Sequence, residues 1–322
     1  MRTMPIGETG IQASRISLGC MGFGGGWDGS PLKPEDQRQA VDAILCALDA
    51  GINFFDHADI YCMGKSEEAF SAIWGKKPSL RPKVFLQSKC GIRFAGDPDP
   101  SSPKRYDFSK EHILHAVEGS LQRLKTDYLD ILLLHRPDPL MEPEEVAAAF
   151  DMLHASGKVR YFGVSNHNAR QMELLRKYLS QPIAANQMQL SLMHTAMIDE
   201  GIYVNVPRGG SVHGEGTIEY CRLHNITIQA WTPLAAGSFT RDRVDAGHEE
   251  MAALVERYAA EKNVSPEAIM IAWLLRHPAG IQPVIGTRTP GRIKAASQGA
   301  RIQLTREEWY ALYNSAADRK LI

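Results

Sequence analysis

The chain of 322 residues is 44% hydrophobic and 23% charged, the composition of a globular protein with an ample core rather than a disordered one. Its 36 basic and 37 acidic residues leave a net charge of -1, with no basic tract able to neutralise a run of phosphates, which argues against nucleic acid or a membrane surface as partner. The five cysteines, Cys20, Cys46, Cys62, Cys90 and Cys221, are scattered without a CxxC or a zinc-spaced Cys/His cluster, so they read as free thiols of a reducing cytoplasm. The opening MRTMPIGETG lacks the apolar stretch of a signal peptide and no apolar run approaches bilayer length, so a cytoplasmic location is expected.

Short strands and helices alternate along the chain. Met4 to Ala13 reads as a hairpin around GETG. Ile16 to Gly19 is a strand, and Pro34 to Ala50 a helix with Val41, Ile44, Leu45 and Leu48 on one face and Gly51 as its stop. Asn53 to Asp56 (strand), Glu67 to Trp74 (helix), Val84 to Lys89 (strand) and Ser109 to Leu124 (helix) follow. Tyr128 to Leu134 is nearly all apolar, as a strand covered on both faces should be. Glu144 to Ala155, Val159 to Val164, Asn168 to Leu179, Ala184 to Gln187, Thr217 to His224 and Thr227 to Trp231 continue the alternation. A helical stretch from Glu249 to His277, a strand from Gln282 to Ile285 and a helix from Pro290 to Ala296 complete it.

Eight strand-helix units close most naturally into an α/β fold of the (β/α)8 barrel type, and the chain reads as one domain over residues 1–322. A doubly wound open sheet is the alternative that the same alternation allows. The hairpin is expected to plug the barrel's N-terminal mouth. Thr305 to Ala317 reads as an extra C-terminal helix, opened by Thr305 with Glu308 at capping-box spacing. Leu192 to Gly216 is the one long irregular stretch; it follows a strand's C-terminal end, where loops shape substrate pockets. GFGGG, at Gly22 to Gly26, is not GxGxxG before a helix and reads as a flexible loop over the site.

Polar residues fall at or just beyond successive strand ends: Asp56 with Tyr61 five residues on, then Lys89, then His135. A repeating strand-helix scaffold brings such residues together at one end. Tyrosine ionises near pH 10, so as an acid it needs its phenolate stabilised, and Lys89 beside it, held charged by Asp56, can do that. His135 can give a second hydrogen bond to a substrate oxygen. The set suits protonation of a carbonyl oxygen as it becomes an alkoxide. His57 and Asp59 also form an HxD pair, but no second cluster at ligand spacing completes a metal site, and His57 reads as a packed neighbour. Cys62 reads as a passive wall thiol.

The motifs LGCMGFGG, FDHADIYCMGKSEE, QSKCG, DYLDILLLHRPDPLM, GKVRYFGVSN, ANQMQLS and PVIGTRTPGRI resemble, in this order and across essentially the whole chain, the aldo-keto reductases, in particular their bacterial branch carrying DHADIY and LLLHRPDP. The resemblance implies a (β/α)8 barrel that reduces aldehydes or ketones with NADPH and without metal. It makes Tyr61 the general acid, Lys89 and Asp56 the pair that tunes it, and His135 the residue that orients the carbonyl.

The cofactor positions carried over are Gly19, Cys20 and Met21 after the first strand, Ser165, Asn166 and Gln187 on the nicotinamide amide, and Trp231 stacked on its ring. Thr232 and Pro233 also fall among the cofactor positions, and Leu234, Ala235 and Gly237 lie where the loop passes the pyrophosphate, while Gly286, Thr287, Arg288 and Arg292 resemble the adenosine-phosphate site, where a guanidinium favours NADPH over NADH. The chain departs from the pattern at His57 for Thr, Cys62 for Gly, Gly286 for Lys, and Ala295 and Ala296 for an acidic residue and Asn on the adenine. A nicotinamide-binding regulatory subunit with slow turnover and a metal-dependent barrel hydrolase are the rival readings. The expected partner is a small carbonyl substrate; the sequence sets no oligomeric state.

Overall fold

The structure is a computed structural model that describes residues 1–203, 216–237, 239–240, 243–244 and 248–315. Strands β1 (Thr3–Pro5) and β2 (Gln12–Ser14) pair antiparallel as the expected hairpin. Eight strands build the barrel: β3 (Ser17–Gly19), β4 (Phe54–Asp56), β5 (Phe85–Cys90), β6 (Leu129–Leu134), β7 (Val159–Ser165), β8 (Ile183–Gln189), β9 (Thr227–Trp231) and β10 (Gln282–Ile285). Each is parallel to the next, and β10 closes on β3, so the eight form a barrel in chain order and not an open sheet. In a closed ring of eight, β6 and β10 lie on opposite sides, a relation that matters below.

The hairpin plugs the barrel's N-terminal end. Ile6, Ile11 and Ala13 join Phe54, Ile131, Leu133, Ala184 and Ala185 in a core cluster of their own. The close approach needs glycine: a Cβ on Gly7, whose φ is +49°, would stand 2.6 Å from the Ala184 carbonyl oxygen. Its amide N–H donates to Thr227 Oγ1 at 2.8 Å, which ties the plug to the start of β9.

Helices cover the outside for reasons written in the sequence. α1 (Pro34–Asp49) starts on a proline with Glu35 and Asp36 in its first turn, buries Val41 and Ile44, and stops at Gly51 with φ +82°. Between α1 and β6 come α2 (Lys65–Ser71), α3 (Ile73–Lys76) and α4 (Lys110–Leu124), the last capped by Ser109 and burying Ile113, Val117, Leu121 and Leu124. α5 (Pro143–Ala155) and α6 (Ala169–Arg176) follow, α6 opened by an Asn168–Gln171 capping box that the sequence reading did not pick out.

Two stretches differ from expectation. α7 (Ala196–Ile202) stands inside the segment read as irregular, with Thr195 Oγ1 donating to Asp199 at 2.9 Å; seven residues are too few for a helical period to show. Residues 204–215, the heart of the predicted pocket-shaping loop, lie outside the described residues. After α8 (Thr217–Leu223), the stretch Glu249 to His277 is two helices, α9 (Glu249–Glu261) and α10 (Pro266–Arg276). Asn263 at φ +51° turns the chain, Ser265 accepts from the Ala268 amide as a new N-cap, and Pro266 supplies the first turn. α11 (Pro290–Ser297) and α12 (Arg306–Asn314) complete the set; Thr305 and Glu308 form the predicted capping box.

GFGGG is pinned. Phe23 is buried, Gly24 N–H donates to Ser66 Oγ at 3.1 Å, and Ser66 Oγ donates to Met21 O at 2.9 Å. The Cys62 thiol donates to Met21 O and Gly25 O at 3.1 and 3.2 Å, a structural tie for a residue expected to be passive. Glycine here permits close packing on α2, since a Cβ on Gly24 would sit 2.6 Å from Lys65 Cβ.

Candidate active site

Side chains alternate along a strand, and on β5 this divides labour. Ser88 faces outward and donates to Glu67 Oε1 at 2.6 Å, and Arg123 Nε donates to Glu67 Oε2 at 2.8 Å. Gln87 and Lys89 face the barrel interior, where both meet Asp56 at the end of β4. Lys89 Nζ is fully buried and spends its three N–H bonds on Asp56 Oδ2 at 2.8 Å, His57 O at 2.9 Å and Tyr61 Oη at 2.9 Å.

The other Asp56 oxygen is held just as closely. Oδ1 accepts from Gln87 Nε2 at 2.6 Å and Gln187 Nε2 at 2.9 Å. Both carboxamides also donate to Gln229 Oε1, at 2.8 and 3.2 Å, closing a four-membered square of two donors and two acceptors. Gln229 Nε2 continues to Gln282 Oε1 at 2.9 Å, and Gln282 Nε2 to Ser14 O at 2.8 Å. A polar chain thus runs down the barrel axis from the Asp56 carboxylate to the hairpin plug. Gln87, Gln229 and Gln282 were not anticipated from sequence, because a single glutamine inside an apolar run gives no sign of which face it occupies.

Burial raises the Tyr61 phenol above its ordinary value, with the Lys89 charge pulling the other way. Burial works against the Lys89 ammonium, but the attraction of Asp56 and Tyr61 outweighs it and the lysine stays protonated. His135 is pushed well below the usual imidazole range by burial and by the Lys89 and Arg136 charges, so it is neutral at pH 7. Its Nδ1 is buried without a partner among the described residues, which leaves Nε2 as the nitrogen that can meet a ligand. The Tyr61 and His135 rings meet edge to face, with centroids 5.9 Å apart. His57 is buried edge-on to Phe70 and held down at about 3, whereas burial and Glu67 raise Asp59 to about 8. Among the described residues no three His, Cys, Asp or Glu side chains are grouped to hold a metal.

A cavity of about 650 Å³ opens above this cluster at the C-terminal ends of the strands, within the usual size of a small-molecule site. Asp56, Tyr61 and His135 line it, with Gly19 and Met21. Ser165, Asn166, Gln187 and Trp231 form another wall, continued by Thr232, Pro233, Leu234 and Gly237. Gly286, Thr287 and Arg292 line it as well. Four predicted site residues are not in its wall. Lys89 lies beneath Tyr61, Cys20 is buried with its thiol toward Leu18 O, and Ala235 is buried. Arg288 turns to α1, where its guanidinium donates to Asp36 at 2.6 Å.

The wall also contains residues not anticipated: Trp27, Ile60, Ile92, Arg136, Pro266, Glu267 and Met270. Arg136 was legible beside His135 in HRPD. Pro266 to Met270 were not, because the stretch reads as the middle of one long helix. Trp27 meets Tyr61 edge-on, with centroids 6.4 Å apart.

The donors of the Ser165–Asn166–Gln187 group are directed inward. Ser165 Oγ donates to Gln187 O at 2.8 Å, and Asn166 Nδ2 to Ser165 Oγ at 2.8 Å and His135 O at 3.3 Å. Trp231 Nε1 donates to Asn166 Oδ1 at 3.1 Å, fixing the indole plane. What this wall offers a ligand is chiefly oxygen acceptors and an aromatic face.

The sequence pattern of the aldo/keto reductase family matches residues 15–316. The chain belongs to that family and is an oxidoreductase. It is 38% identical over 279 residues to YcsN of Bacillus subtilis, described as an uncharacterized oxidoreductase, covering 86% of this chain and 88% of that one. It is 34% identical to a 6-dehydroglucose reductase of Agrobacterium fabrum over 97% of both chains. Among solved structures, an aldo/keto reductase of Klebsiella pneumoniae in complex with NADP and acetate superposes with a TM-score of 0.75 at 24% identity, covering 99% of this chain and 98% of that one.

Proposed function

We propose that this protein reduces aldehydes or ketones to alcohols with NADPH, with Tyr61 as the general acid. The observation that carries the reading is the Asp56–Lys89–Tyr61 chain of hydrogen bonds beneath a cavity that Tyr61 and neutral His135 both face. Aldo/keto reductases use NADP(H), and the residues present suit it. The cavity runs from Tyr61 past the Trp231 face to Arg292, an exposed guanidinium without a partner among the described residues. A Cβ on Gly286 would meet nothing within 4 Å, so that wall stays open.

When bound, the nicotinamide supplies hydride to the carbonyl carbon. Tyr61 donates its proton to the carbonyl oxygen, and Lys89, already bonded to the phenol oxygen, stabilises the phenolate left behind. Asp56, saturated by Gln87, Gln187 and Lys89, keeps the lysine aimed. His135 Nε2–H gives the second hydrogen bond to the same oxygen. Ser165, Asn166 and Gln187 would hold the nicotinamide carboxamide, and Trp231 would present the face on which the ring stacks. Arg292 would hold the 2'-phosphate, and five buried free cysteines fit a reducing cytoplasm.

Loss of NADPH absorbance over a panel of aldehydes, with and without a chelator, tests the reading. Turnover insensitive to chelation is expected. Tight NADPH binding with no oxidation by any carbonyl compound would return the chain to the regulatory reading, and chelator-sensitive hydrolysis to the metal one.

A further inference from the structure

Among the described residues, the cavity wall holds one cation that this chemistry does not use. Arg136 follows His135 directly, is half-buried in the cavity wall, and has no carboxylate or hydrogen-bond partner among the described residues. The nearest acid in sequence, Asp138, is committed elsewhere: its oxygens accept from the amides of Phe108 at 3.0 Å and Leu140 at 2.9 Å. Asp56 is neutralised by Lys89, so among the described residues of the wall only Glu267, on α10, carries an uncommitted negative charge.

The guanidinium carbon lies 5.4 Å from the centroid of Trp231, whose own plane is fixed by Asn166. A guanidinium placed over an aromatic face engages its flat side and keeps its in-plane N–H fork for an anion. The barrel also separates this cation from the other one in the wall. Arg136 follows β6 and Arg292 follows β10, on opposite sides of the ring, so one ligand phosphate cannot account for both. The same wall carries apolar side chains, among them Ile60, Ile92 and Trp27, the last edge-on to Tyr61.

We infer that Arg136 selects carbonyl substrates that carry a carboxylate, bound through its N–H fork while Tyr61 and His135 meet the carbonyl oxygen. The inference rests on the reading that Tyr61 marks the carbonyl position. A charge-assisted fork in a partly desolvated wall makes a difference of about 10- to 100-fold in binding. That difference appears in KM for the charged substrate and not in the chemical step.

The test compares kcat/KM for 3- and 4-carboxybenzaldehyde with that for benzaldehyde, in the wild type, Arg136→Met and Arg136→Lys, with the NADPH Kd measured alongside. In Arg136→Met the charged-to-neutral ratio should fall about 10- to 100-fold, mostly through KM. Arg136→Lys should retain part of the ratio, because it keeps the charge and loses the fork. Added salt should lower the ratio in the wild type, a measurement that needs no variant to fold. An unchanged ratio in both variants overturns the inference, as does an equal loss for all three aldehydes. A fall in NADPH affinity with the ratio intact would assign Arg136 to the cofactor and overturn it too. If the wild type reduces none of the aldehydes, the carbonyl reading fails and this inference with it; reduction of all three with an indifferent Arg136 sinks the inference alone.

Discussion

Lys89 Nζ donates to Tyr61 Oη at 2.9 Å, so the phenol's own proton is directed away from the lysine and toward the cavity. Burial makes that proton harder to lose and the lysine charge makes it easier; the balance keeps Tyr61 protonated at neutral pH, as an acid must be. Replacing Lys89 by Met removes the opposing charge. Turnover should fall by roughly 10²- to 10⁴-fold, and the alkaline limb of kcat/KM should move to higher pH because the phenol holds its proton longer. An unchanged limb would show that Lys89 does not tune Tyr61.

Gln87 donates to Asp56 Oδ1 at 2.6 Å, while its own Oε1 is buried without a partner among the described residues. Gln87→Leu removes one donor from a carboxylate that keeps a second in Gln187, and also removes a buried unsatisfied acceptor. The expected result is a split: Tm unchanged or raised and turnover lowered roughly 10-fold, because the carboxylate that aims Lys89 is held by one donor fewer. Loss of stability and activity in parallel would make Gln87 a packing residue only.

Arg292 and Arg288 stand four residues apart but differ in their surroundings. Arg292 lines the cavity, whereas Arg288 is paired with Asp36 on α1. Arg292→Ala should weaken NADPH by about one to two powers of ten and leave NADH little changed. Arg288→Ala should weaken NADPH much less. Equal losses of both cofactors in Arg292→Ala would mean that it holds something other than the phosphate.

His57 is fully buried, has no partner for either nitrogen among the described residues, and is held down at about 3. The unfolded chain takes up that proton near pH 6.5 and the folded chain does not, so His57 contributes stability that is present above about pH 6.5 and lost as pH falls. His57→Leu removes this dependence. Between about pH 6 and pH 4 the stability of the wild type relative to the variant should decline by about 1.4 kcal/mol per pH unit. Denaturant unfolding at several pH values measures it; parallel curves would show that His57 is protonated in the folded state.

What the sequence makes legible follows from periodicity. The eight strands and the cluster of Asp56, Tyr61, Lys89 and His135 can be read because polar residues at or just beyond the ends of apolar runs must gather at one end of a closed barrel. Gln87 and Gln229 cannot, because their meaning depends on which face of a strand points inward, and that is set by closure of the ring. The break between α9 and α10 has a local signature, Ser265 followed by Pro266, but it is overridden by the apolar period on either side. The glycines at Gly22 to Gly26 suggest pliability, yet Gly24 serves tight packing against α2 and Gly25 against Asp36 of α1, because absence of a side chain permits either outcome.

The most direct test of the whole account is Tyr61→Phe, followed by NADPH oxidation with several aldehydes and by NADPH binding to the same protein. The substitution deletes one hydroxyl that Lys89 and the cavity share and leaves the ring in contact with Trp27 and His135. The account predicts turnover reduced by orders of magnitude with NADPH affinity nearly intact. Turnover close to the wild type across the panel would remove Tyr61 from the mechanism and contradict the account.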